Sequence, residues 1–160
     1  MSAIALHDRR PAALQAILLS GATAGVLDLT AACVFAWIRS NVRPVLVFHY
    51  IASGAMGPSA YQGGAKTAAL GIAFHFLIAI TAAAVYYFAS QKMSLLVTQP
   101  IFSGVLYGIF VYLFTNFVVV PLSLVQRRPQ PLSSRIIAAL IIIFCVGLPI
   151  AFITRRFARR

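Results

Sequence analysis

Carboxylates are almost absent from this chain. Of its 160 residues two are acidic, Asp8 and Asp28. Chemistry that needs paired carboxylates is left with a tail residue and one other, and no Ser/His/Asp arrangement can be drawn. Enzyme activity is not expected. Cysteine is equally scarce: Cys33 and Cys145 have neither another cysteine nor a histidine at metal-ligand spacing. That argues against a metal site and leaves two free, buried thiols. Charge of either sign makes up only 9% of the residues.

What is present is apolar. Hydrophobic residues are 61% of the chain and the mean hydropathy is +0.93, values that belong to a membrane protein. Four runs are long enough for a helix to cross a hydrocarbon core of about 30 Å: residues 11–38, 67–89, 100–120 and 136–154. The expected fold is all-α, a single polytopic domain with four transmembrane helices. The first run imitates a secretory signal, with Arg9 and Arg10 ahead of it and Ala22-Thr23-Ala24 as a cleavage-like site, but it continues to Ile38, too far for such a segment.

The net charge of +11 raises nucleic acid as a partner, and its placement argues against it. The basic residues flank the apolar runs, where long cationic side chains reach the headgroups, so the expected partners are the bilayer and its anionic lipids. Seven basic residues fall on the side of the termini and the 2–3 loop and six on the other side. Four of the seven lie in "RRFARR", which tips both termini towards the cytoplasm.

The longest connection, between helices 1 and 2, holds about a dozen apolar residues, too few to span. A short interfacial or re-entrant helix is expected there, capped by Ser40 or Asn41, starting near Pro44 and ending at the Gly54, Gly57 and Pro58 cluster. "GGAKT" at 63–67 fails as a phosphate loop, which needs glycine directly before the lysine and a preceding strand. Ser20-Gly21-x-x-x-Gly25 and Ser103-Gly104-x-x-x-Gly108 share a pattern 83 residues apart, a faint hint of duplication.

The chemistry converges on Asp28. An aspartate near a helix centre costs about 2.5 to 3.5 kcal/mol on insertion scales, so it should face protein or water. Gly21, Gly25 and Asp28 share one face, where small residues let a neighbouring helix come close. Helix 2 offers Gly71 and His75 on one face; helix 3 offers Gly104, Gly108, Tyr112 and Asn116. Asp28 is 11 residues from Arg39, His75 nine from Lys66 and Asn116 11 from Arg127, which sets all three at about 13 to 17 Å from their flanking charges. They form the expected intramembrane polar cluster, Asp28, His75, Asn116 and Tyr112. Helices 1 to 3 should pack through Gly21, Gly25, Gly71, Gly104 and Gly108, leaving helix 4 more exposed to lipid.

Three readings of that cluster stand side by side: polar glue between helices, a proton- or cation-handling site, and a haem or chlorophyll-type pigment ligated by His75, with Gly71 giving a flat macrocycle room. No other cofactor or metal is expected. An aspartate favours imidazolium while burial disfavours charge, so an Asp28–His75 pair would share a proton and respond to mild acidity. The corresponding functions are a non-enzymatic scaffold or accessory subunit, alone, as a homo-oligomer or with other membrane subunits, and a small transporter or channel using Asp28 and His75.

From His75 to Pro131 the order of features resembles the YagU-type bacterial inner-membrane proteins: His75, then Tyr86 or Tyr87, Gly104-x-x-x-Gly108, Tyr112, "VVVPLSL" at 118–124, and Pro129 or Pro131. The longer polar loops of that family are missing. The resemblance implies a bacterial inner-membrane protein linked to acid tolerance, with no catalytic residues to carry over.

Overall fold

The computed structural model describes residues 9–126 and 129–158, and among these no strand occurs. Asp8, Arg127, Arg128, Arg159 and Arg160, placed above in tails and loops, lie outside the described residues. In chain order the α-helices are α1 (Arg9–Ser40), α2 (Pro44–Met56), α3 (Gly64–Ser90), α4 (Leu95–Thr98), α5 (Pro100–Phe114), α6 (Val120–Leu122), α7 (Leu132–Ile142) and α8 (Leu148–Ala158). A 3₁₀ turn, Gly57–Gln62, joins α2 to α3. π turns at Thr115–Val119 and Ile143–Gly147 make continuous rods of α5 with α6 and of α7 with α8.

Four of these rods are long and apolar enough to cross a membrane: Ala12–Ser40, Gly64–Ser90, Pro100–Leu122 and Leu132–Ala158, called here the first to fourth spans. With 23 to 29 residues each, they extend about 35 to 44 Å and exceed the hydrocarbon thickness. The protein is a multi-pass membrane protein, and the short helix between the first two spans is α2.

The connection between α1 and α2 differs from expectation in its capping. Asn41 does not start α2. It ends α1, with a left-handed φ of 51° and its N–H donating to Trp37 O at 2.8 Å, followed by Val42 N–H to Ala36 O at 3.2 Å. Asparagine tolerates that conformation better than most side chains, so it closes helices as glycine does. Arg43 occupies the N-cap of α2 without a side-chain bond, and Pro44 opens the first turn, where a missing N–H costs nothing.

Packing follows the glycines, but not in the expected order. A side chain at Gly21 would meet the backbone of Ile80 at 2.7 Å and one at Gly25 the ring of Phe76 at 2.8 Å, so the first span lies against the second. Gly71 is filled by the Phe48 carbonyl of α2. Gly104 and Gly108 face Leu148, Gly147 and Ile143 of the fourth span. The third span therefore packs on the fourth and not on the first, and the fourth lies between them. Ala24, Ala83, Tyr86, Val146, Ile150 and Ala151 form the buried core, half of it from the fourth span.

The expectation that helix 4 is the most exposed is thus corrected: that position belongs to the third span. Ionisable side chains are a poor guide to which helix is central, because in lipid close approach is set by backbone clearance. Gly147 supplies that clearance. A Cβ there would lie 2.8 Å from the Gly108 nitrogen and 2.9 Å from its Cα.

The two π turns share a layout. Val120 N–H bonds Thr115 O and Leu148 N–H bonds Ile143 O, and the next residue is proline in both cases, Pro121 and Pro149. Proline has no N–H for the carbonyl four residues back and its ring crowds that oxygen. The wider turn moves the obstructed carbonyl aside, a recurrent cause of π bulges and bends.

Candidate functional site

The close approach at Gly21 and Gly25 brings the second span within side-chain reach of the first span's backbone. His75 uses it: its Nε2–H donates to Gly25 O at 2.9 Å. Asp28, nearly one turn further along α1, places Oδ2 3.9 Å from the same nitrogen. That separation lies within the range of an ion pair and outside that of a hydrogen bond. The single proton on Nε2 is committed to the backbone carbonyl, and among the described residues no donor hydrogen-bonds to the Asp28 carboxylate.

Neither side chain is fully covered. His75 is 14% exposed and Asp28 21%, although both lie deep along their spans. The Phe76 ring stands edge-on to the imidazole at 5.8 Å. From the fourth span, the π turn that carries Cys145 packs against the first span. The site is an under-coordinated carboxylate beside a histidine held by one bond, where the first, second and fourth spans converge.

The other members of the expected cluster lie elsewhere. Asn116 and Tyr112 are on the third span, where the Asn116 amide donates to Tyr112 O one turn back, at 2.9 Å. Because the third span packs on the fourth, those two residues share a different helix pair. The room over Gly71 that a macrocycle at His75 would need is occupied by α2, and the imidazole Nε2 is already bonded. Among the described residues no three of His, Cys, Asp and Glu converge as metal ligands do.

A second polar node was not anticipated. Near the 2–3 loop, Tyr86 O–H reaches Ser103 Oγ at 3.0 Å and Leu96 O at 2.9 Å, and Ser103 O–H donates to Gln99 O at 2.7 Å. Tyr107 O–H donates to Ala82 O at 2.6 Å, and the two tyrosine rings meet edge-to-face with centroids 4.9 Å apart. This node joins the second and third spans. The available signal was chemical: a tyrosine inside a span must satisfy its hydroxyl, and Tyr86 and Tyr107 are each inside one.

Beside the node, a groove of about 420 Å³ runs along the third span between Leu96, Tyr107, Phe110 and Leu113. It is apolar, and neither Asp28 nor His75 lines it.

No protein-family model, curated protein or solved structure matches the chain.

Proposed function

We propose that this is a non-enzymatic protein of the bacterial inner membrane that takes up and releases a proton, or a small cation in its place, at Asp28 and His75. The observation that carries the reading is the unsatisfied carboxylate. A residue that costs about 2.5 to 3.5 kcal/mol to place in a bilayer and accepts no hydrogen bond among the described residues is poorly explained as glue. It is well explained as a ligand group kept free. His75 beside it, at 3.9 Å, gives the bound proton a second place to reside.

The resemblance of residues 75 to 131 to YagU-type proteins points the same way, because a protonatable group inside the membrane suits an acid-linked role. Termini in the cytoplasm and contact with anionic lipid complete the proposal, both supported by the flanking arginines.

The test is proton movement in proteoliposomes carrying a pH gradient and an enclosed pH-sensitive dye. Native protein dissipates the gradient faster than empty vesicles, and Asp28→Asn does not. If Asp28→Asn matches native protein, the reading is wrong.

A scaffold or accessory subunit is the second reading, favoured by the His75–Gly25 bond, which is itself glue between two spans. It expects a stoichiometric membrane partner, or a second copy, to co-purify in mild detergent and to survive Asp28→Asn.

A further inference from the structure

α2 is 13 residues long, too short to cross the bilayer, and it does not lie free. The Phe48 carbonyl and the Ala52 amide sit where a side chain at Gly71 would project. Gly71 precedes His75 by one helical turn, so α2 rests on α3 directly on the loop side of the site. Its far end reaches the chain beyond the third span: Leu124 N–H donates to Gly54 O at 3.0 Å, and Ser123 and Val125 pack beside Gly54. α2 thereby bridges the second and third spans at the end of the molecule opposite their tyrosine node.

We propose that α2 is a lid on the Asp28–His75 site, latched by His49, and that lifting it admits water from the side of the 1–2 and 3–4 loops. The proposal rests on the reading of that pair as a proton or cation site and supplies its route of access.

Three features support it. Both ends of α2 are joints with left-handed backbone, Asn41 at φ 51° and Gly57 at φ 65°, so a rigid rod swings by changes at few dihedrals. Beside the Leu124–Gly54 backbone bond, one side-chain bond serves as the latch: His49, 6% exposed, donates from Nε2 to Gly64 O at 3.0 Å, while its buried Nδ1 has no partner among the described residues. A buried nitrogen without a partner is a cost that disappears when water reaches it, so the closed position is poised to open. Finally, no charge pins the lid among the described residues. Tyr61 meets His49 edge-on at 6.2 Å from the 3₁₀ turn, while Lys66 on the second span, Arg39 on the first and Arg43 before α2 are exposed.

The experiment locks the lid in full-length protein in liposomes. An ideal Cβ at Gly54 lies 3.7 Å from Ser123 Cβ, within the roughly 3.5 to 4.5 Å that a disulfide spans. Gly54→Cys with Ser123→Cys, in a Cys33→Ser background, leaves Cys145, on the π turn packed against the first span, as the reporter. The probe is a cationic, water-soluble thiosulfonate added to the loop side, with modification read at Cys145 by peptide mass. Oxidation should slow labelling about ten-fold and stop proton movement, and reduction should restore both. His49→Phe, which removes the latch without new cysteines, should raise labelling about five-fold. Equal labelling in the oxidised and reduced protein, with the disulfide verified, overturns the lid, as does unchanged labelling in His49→Phe. Either result leaves the Asp28→Asn comparison intact as the judge of the site itself.

Discussion

Two polar clusters in this bundle treat their groups in opposite ways. Near the 2–3 loop, the hydroxyls of Tyr86, Tyr107 and Ser103 all bond to oxygen within the chain, and the Tyr86 side chain is almost fully buried. Towards the opposite loops, among the described residues, Asp28 accepts no hydrogen bond and the buried Nδ1 of His49 has no partner. In a solvent that offers no hydrogen bonds, satisfied groups fix a structure and unsatisfied ones await something from outside it. The tyrosine cluster holds the spans together, and the region of Asp28 and His49 keeps capacity in reserve.

Substitutions can break or sharpen that contrast. The largest effect is expected away from both polar sites, at Gly147→Val, which forces a side chain into the backbone of Gly104 and Gly108. Overpacking typically costs about 1 to 3 kcal/mol, and backbone cannot yield as a side chain does, so the upper end or beyond is expected. Loss of the monodisperse peak in detergent chromatography would show it. Tyr107→Phe comes next: it removes the 2.6 Å bond to Ala82 O and should cost up to about 1.7 kcal/mol in a denaturing-detergent titration. His75→Leu gives up the bond to Gly25 O and should cost less, about 0.6 kcal/mol.

The smallest effect is predicted for Asp28→Asn, with stability unchanged or slightly raised, since among the described residues the carboxylate has no hydrogen bond to lose. A loss of about 1 kcal/mol or more there, on the scale of a broken membrane hydrogen bond, would place Asp28 with the tyrosines as a structural residue. That result would erase the contrast.

Much of this architecture was legible in the residues. Lengths of apolar sequence mark the spans, and the Gly/Pro cluster after a short apolar run marks α2. The i, i+4, i+7 spacing of Gly21, Gly25 and Asp28 places the acid against a close neighbour, and depth counting points to His75. The order of packing was not legible. Lipid tails are as apolar as any core, so "IIAALIIIFCVG" looks alike whether it faces lipid or protein, and the weight of one glycine, Gly147, emerges only when its neighbours are known. Depth counting also paired Asn116 with Asp28 because it measures distance along the membrane normal and says nothing of position around the bundle. Tyr86 entered only through the resemblance, and Tyr107 not at all, because their partners include backbone carbonyls, which every residue carries.

The π turns carry a consequence for how any variant of this chain should be aligned. Each adds one residue to a helix that advances about 100° per residue, so the halves of the third and fourth spans on either side are out of phase by roughly that angle. On an unbroken α-helix at about 100° per residue, Ile150 and Thr154 would each lie roughly 160° around from Ser134, yet all three are buried. Deleting a single residue between Ile143 and Gly147 would leave the composition and length of the span nearly untouched. It would also remove the extra residue that the π turn holds, so Ile150, Ala151 and Thr154 would keep their facing, and the cost would fall on Pro149, whose ring would again crowd the carbonyl four residues back.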